Sequence, residues 1–199
     1  MKIAYVLFDG VTLLDFIGIY DSMTRLRSMN FIPDLHWDIC STKNEITDIF
    51  GTRIFCNQVK NDLSGYDIVI FPGGHIQKLK TESDHELIQW IQSCRNVKLK
   101  VSVCTGSLLL GAAGLLSGKH ATTNHLEYEA LEKYCQVLDD RIVEDDDIIT
   151  AGTVSASIDV GLYLCEKLAG KEAKNKIRAN MGYTGPDVSV KKIQKANLK

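Results

Sequence analysis

The chain has 199 residues, enough for one domain or one domain with an appendage. With 45% apolar and 24% charged residues it reads as a soluble globular protein, and a net charge of −2 argues against nucleic-acid binding. No apolar run is long enough to span a membrane, and the N-terminal run, broken at Asp9, is too short for a signal peptide.

In chain order, 2–8 is a near-continuous apolar run, as expected of a central parallel strand covered on both faces, and Asp9-Gly10 closes it with a turn. A helix is expected to follow, to about Arg27. Asp15 stands at its start with two apolar neighbours on each side. A helix N-cap is the plain reading of that acid. If buried instead, its carboxyl should have a raised pKa and suit proton transfer near neutral pH. Residues 35–41 alternate and read as a second strand, and 46–57 as a small strand pair bent at Gly51. The stretch from Tyr66 to His75 holds an all-apolar strand that ends in Pro72-Gly73-Gly74, where two glycines allow close backbone approach and outward N–H groups. A plain turn is the alternative there. Residues 84–94 form an amphipathic helix through Leu87, Ile88 and Ile91.

The β-branched run at 100–103 then passes into a small-residue and leucine segment with no Pro and no loop between them. Cys104-Thr105-Gly106 is the only place to turn, which puts a thiol at the mouth of a helix, where N–H groups and the dipole favour a thiolate. Beyond it come a short extended piece at 118–125, a helix at 127–134, and a hairpin at 141–151 with the tip Asp145-Asp146-Asp147. That tip reads as a solvated turn and lacks the spacing of a calcium loop. A long helix runs to Ala169, with a small-residue start suited to close packing on another backbone, and a further helix covers 171–180. The division expected is one domain over 1–183 and a polar, loosely attached tail over 184–199.

Strands alternate with helices throughout, so the fold class is α/β, a mostly parallel central sheet with helices on both faces. Ligands of such sheets bind beyond the carboxyl ends of strands. Residues 8–15, Pro72–His75 and Cys104-Thr105 all follow strand ends and are expected to converge. Cys104 is the candidate nucleophile and Asp15 its acid partner. The backbone of Gly73, Gly74, Thr105 and Gly106 is the candidate oxyanion and substrate cradle. His75, His120 and His125 are weighed as distant bases, with His125 best placed to reach the crevice. The six cysteines form no C-x-x-C pair, so neither a zinc knuckle nor a dithiol motif is expected. Most read as reduced core residues of a cytoplasmic protein.

Residues 102–116, with the matches at 8–18, 71–74, 119–125, 151–152 and 159–161, resemble the ThiJ/PfpI superfamily, and within it the isonitrile hydratase branch. The resemblance covers about 2–183. It implies a flavodoxin-like three-layer sandwich, a homodimer, a strained nucleophile at Cys104 and an acidic partner at Asp15. It also implies a small electrophilic substrate and neither metal nor organic cofactor. Thr105 stands where protease-like members have His, which argues against peptidase activity. Gly18-Ile19 departs from the Gly-Pro common in hydratase-like sequences and leaves the pocket's detailed shape open, while the loop 76–81 is expected to add pocket side chains. The activity so implied is hydration of an isocyanide to an N-substituted formamide through a Cys104 thioimidate. Glyoxalase or deglycase chemistry on α-oxoaldehydes and a non-catalytic cysteine oxidation sensor are the alternatives. A regulator half is disfavoured because the chain ends soon after its last expected helix, without a helix-turn-helix.

Overall fold

The computed structural model describes residues 1–76 and 82–193. Its eight-stranded sheet is built from β1 (Lys2–Val6), β2 (His36–Ser41), β5 (Gln58–Val59), β6 (Ile68–Phe71), β7 (Leu99–Val103), β10 (Ile142–Asp145), β11 (Ile148–Ala151) and β12 (Lys191–Lys192). The spatial order is β12-β10-β11-β7-β6-β1-β2-β5. Every pairing is parallel except that of β10 with β11. Two short ladders lie outside it: β3 (Glu45–Thr47) with β4 (Arg53–Phe55), and β8 (His120–Ala121) with β9 (Gln136–Val137).

The central strands β6, β7 and β11 are buried at every residue, which requires cover on both faces; β6 is apolar throughout, while β7 and β11 are mostly apolar and also bury Lys100, Ser102 and Thr150. The cover comes as two helix sets. The helix α1 (Leu13–Ser28) packs on α5 (Ala156–Asn180), and α3 (Gly106–Ala112) packs on both α2 (Glu82–Ile91) and α4 (Tyr128–Leu131). This is the flavodoxin-like three-layer sandwich that the resemblance implies. Beneath α1, Tyr5 makes edge contacts with Phe16 and Tyr20, which in turn meets Trp37.

The α1–α5 crossing is close because each helix offers the other a glycine. A Cβ on Gly18 would run into the Ser157 side chain, and one on Gly161 into Ser22 and, at 3.2 Å, the Ile19 Cα. Within Ala156–Asn180 the backbone leaves helical geometry at Gly170, with φ +86° and ψ 170°, so two helices meet at a kink there, as expected on either side of residue 170.

Three local expectations need correction. Residues 127–134 hold only the four-residue α4, because Asn124 first caps a 3-10 turn at His125–Glu127. The acidic hairpin tip is not simply solvated. Asp145 is buried and accepts from His120 N at 2.8 Å, while Asp147 pairs with buried Lys100 and, at 3.1 Å, with Lys119. The stretch after 183 is not loose over 184–193. There β12 extends the sheet beside β10, Ile193 N donates to Glu144 O, and Asp187 holds Arg178 at 2.8 Å. Residues 194–199 of that tail, and 77–81 of the loop expected to add pocket side chains, lie outside the described residues.

Candidate active site

Three loops meet at the carboxyl ends of β1, β6 and β7. The loop after β1 is clasped to the one after β6. His75 N donates to Gly10 O at 2.9 Å, Thr12 N to Gly73 O at 2.8 Å, and Val11 forms a bridge with Gly74. Gly74 is needed there, since a Cβ would overlap the Gly10 carbonyl. Gly106 has a comparable role, letting α3 start against the Phe71 carbonyl. That makes it a packing glycine of the elbow.

Cys104 is the pivot between β7 and α3, with φ +53°, in the left-handed region where a non-glycine residue is strained by about 1–3 kcal/mol. Its backbone is held from both sides. The N–H donates to Ala151 O at 2.8 Å, and the carbonyl accepts from Thr123 Oγ1 at 3.1 Å and Ser107 Oγ at 3.3 Å. The strain therefore persists because neighbouring elements over-determine the turn, and it directs the side chain toward α1.

The group waiting there is Asp15. It is not the N-cap of α1, which is Thr12, but stands in the first turn with its side chain fully buried. Oδ2 accepts from Gly73 N at 3.0 Å, and Oδ1 has no hydrogen-bond partner. Gly73 is the only residue that fits this contact, because a Cβ would lie 2.7 Å from Asp15 Oδ2, Thr105 N and Thr105 Oγ1 alike. Burial lifts the Asp15 pKa to about 7, against the lowering effects of the Gly73 N–H and the Cys104 thiol.

The thiol itself is raised, first by burial and then by the Asp15 charge; Asn124 and the Thr105 N–H pull it back only in part. The helix mouth alone therefore does not produce the thiolate expected from the sequence. Burial and a neighbouring carboxylate outweigh one short helix. Asp15 and Cys104 form a coupled acid pair sharing protons. Cys94 and Cys165, with no comparable donors, are pushed up to about 12 and are core thiols.

Two expected amide donors are already engaged. Gly74 N donates to Thr105 Oγ1 at 2.9 Å, the Thr105 hydroxyl returning a bond to Gly74 O, and Gly73 N serves Asp15. Of that cradle only the Thr105 N–H faces the sulfur. The histidines do not join the site either. His125 is exposed and makes no hydrogen bond among the described residues, His120 is bound to Asp145, and His75 is exposed. The residue at the sulfur is instead Asn124, whose Nδ2 donates to Cys104 Sγ at 3.4 Å. Sequence reasoning stopped one residue short of it. The signal available was an N-cap residue type directly before the 125–127 turn.

Among the described residues no cluster of His, Cys, Asp and Glu is arranged to hold a metal ion, and no helix is long and apolar enough to cross a membrane.

Comparison with known proteins shows the family and the fold. The model of the DJ-1/PfpI family matches residues 1–167. The isonitrile hydratase of Pseudomonas putida is 31% identical over 186 residues, 92% of this chain and 78% of that protein. DJ-1alpha of Drosophila melanogaster is 27% identical over 91% of this chain and 76% of its own length. A crystal structure of a ThiJ/PfpI family protein from Pseudomonas syringae superposes with a TM-score of 0.83 at 25% identity, covering 93% of this chain and 76% of the other.

Proposed function

Given that this chain belongs to the DJ-1/PfpI family, we propose that it is a cysteine-dependent enzyme that adds water to an isocyanide. One observation carries the proposal: a strained thiol coupled to a buried carboxyl whose pKa is about 7, with no imidazole bonded to either among the described residues. A peptidase needs a group to protonate a leaving amine. Hydration of an isocyanide has no leaving group other than the thiol itself, and one carboxyl able to take and return a proton near neutrality is enough. The identity to the Pseudomonas putida hydratase points the same way.

In this reaction the Asp15 carboxylate takes the Cys104 proton. The thiolate adds to the terminal isocyanide carbon, a C–S bond forms, and that carbon receives the proton from Asp15, giving a thioimidate. Asp15 then removes a proton from a water as it attacks the same carbon and delivers that proton to the imidate nitrogen, and the hydroxyl proton of the resulting adduct next passes through Asp15 to the departing sulfur. The C–S bond breaks, an N-substituted formamide leaves, and the thiol is restored. The Thr105 N–H lies beside the sulfur throughout.

The test is direct. Incubation with a simple alkyl isocyanide should give a formamide proton signal by NMR, and Cys104→Ala should give none. Equal formation with both proteins would refute the proposal. Methylglyoxal in the same assay examines the glyoxalase or deglycase alternative.

We propose further that the chain works in the cytosol as a homodimer. The loop leading into α1, a helix that exposes Leu14 and Ile17, is bonded to the β3–β4 hairpin, which exposes Phe50 and Phe55, through Ile49 N to Val11 O and Gly10 N to Thr47 O. Exposed large apolar side chains on these joined elements support an interface with a second copy.

A further inference from the structure

Asn124 has both ends of its carboxamide committed. Oδ1 accepts from Leu126 N at 3.1 Å, capping the turn at His125–Glu127. An amide whose oxygen is fixed on a backbone N–H can only present its NH2 at the other end. That NH2 lies 3.4 Å from Cys104 Sγ. The cap therefore settles which way the amide points, and it points a donor at the sulfur. The adjoining Thr123 hydroxyl bonds the Cys104 carbonyl at 3.1 Å, so one short segment holds both ends of the elbow residue.

We propose that the Asn124 carboxamide is a catalytic hydrogen-bond donor to the Cys104 sulfur, and that it determines how readily the thiol proton passes to Asp15. The sulfur has two partners of opposite effect. Asp15 opposes charge on it while ionised, whereas Asn124 and the Thr105 N–H favour that charge. Proton transfer breaks the S–H bond and forms an O–H bond at Asp15, whose Oδ1 has no hydrogen-bond partner of its own. The carboxyl becomes neutral, its repulsion of the sulfur disappears, and the thiolate keeps two N–H donors. In an interior this dry, a donor to a charged sulfur is worth more than a donor to a neutral thiol. Asn124 thus tips the pair from Asp15 carboxylate and thiol toward Asp15 acid and thiolate. The inference shares with the proposed function the assumptions that Cys104 is the nucleophile and that Asp15 takes its proton.

The experiment follows alkylation of Cys104 by iodoacetamide against pH, read by mass on the Cys104 peptide, in Asn124→Ser and Asn124→Asp. Both keep an oxygen able to cap Leu126 N, so a merely structural role for Asn124 predicts unchanged profiles. The proposal predicts alkylation about tenfold slower at pH 7 in Asn124→Ser, the loss of one hydrogen bond to a charged group. Asn124→Asp should be slower still, with its midpoint at higher pH, because it sets a second carboxylate at the sulfur. Wild-type rate and midpoint in either variant would overturn it. Should both variants unfold, the wild-type protein decides. Its Asn124 side-chain NH2 resonances should shift with the alkylation midpoint, and pH-independent resonances would overturn the proposal. No isocyanide is involved, so absent hydration with these effects intact would refute the substrate alone.

Discussion

At the scale of single residues, the site is a set of conflicts held in place. Asp15 is a carboxyl in a place that disfavours its charge, and the sign of the consequence follows. A raised native pKa means that the folded state binds the proton more tightly than the unfolded one. Stability contributed by Asp15 is therefore intact below its ordinary pKa of 3.8 and is lost as pH rises to about 7. Asp15→Asn keeps an oxygen for Gly73 N and removes the buried charge. It should raise stability at pH 8 by ~2–4 kcal/mol in denaturant titration, and change little at pH 4. The same variant should lose isocyanide hydration by about 10²–10⁴-fold, the usual worth of a positioned proton acceptor. In the wild type, turnover should climb through about pH 7 as the Asp15–Cys104 pair gives up its first proton. A flat profile from pH 5 to 9 would deny Asp15 that role. At this scale the sequence exposes residue types and not their commitments. It marks Asp15 as an acid among apolar neighbours, but not that Gly73 N holds it, nor that Gly74 N is consumed by Thr105.

At the scale of elements, the α1–α5 contact decides where Asp15 sits, because α1 approaches α5 only as closely as Gly18 and Gly161 permit. Two glycines in α5 separate two physical costs. At Gly161 a methyl group meets Ser22 and the backbone of Ile19, so Gly161→Ala should cost about 1–3 kcal/mol by overpacking and displace α1. At Gly170 nothing lies within 4 Å of the added atom, and the penalty is that of the backbone conformation alone, about 1–3 kcal/mol. Thermal unfolding should rank both below wild type. Only Gly161→Ala should also slow Cys104 alkylation, since only it moves the helix carrying Asp15. The elements themselves were largely legible. Apolar runs marked β1, β6, β7 and β11, and Gly51, at φ +96°, marked the β3–β4 bend. The short β5, β8, β9 and β12 carried too few residues for a pattern.

For the whole molecule, the end of the sheet opposite the site is held by charge. Lys100 is buried in β7 and gives its ammonium to Val97 O at 2.9 Å, Arg95 O at 3.1 Å, and the Asp147 carboxylate. Lys100 and Lys119 hold Asp147 below the ordinary carboxylate range, although burial acts the other way. A lowered native pKa means stability present above about pH 4 and lost on further acidification. Asp147→Asn should cost on the order of 1–3 kcal/mol at pH 7 and flatten the acid limb of the stability curve. Unchanged acid unfolding would show that the backbone carbonyls alone suffice for Lys100. The surface around Leu14, Ile17, Phe50 and Phe55 belongs to this scale too. Light scattering should report the mass of two chains, and Phe50→Lys should shift it toward one.

The sequence by itself determined the class of the fold, because parallel strands covered on both faces are mostly apolar and helices amphipathic. It also determined the elbow at Cys104, because no loop-length segment separates β7 from α3. What tertiary structure decided was every relation across distance: which N–H groups are already occupied, that Asn124 and not His125 meets the sulfur, and that the segment after Tyr183 returns to the sheet. Hydrogen-bond partners far apart in the chain leave no local pattern. The proton shared by Asp15 and Cys104 is likewise a property of two burials and one distance, and neither residue's neighbours in sequence encode it.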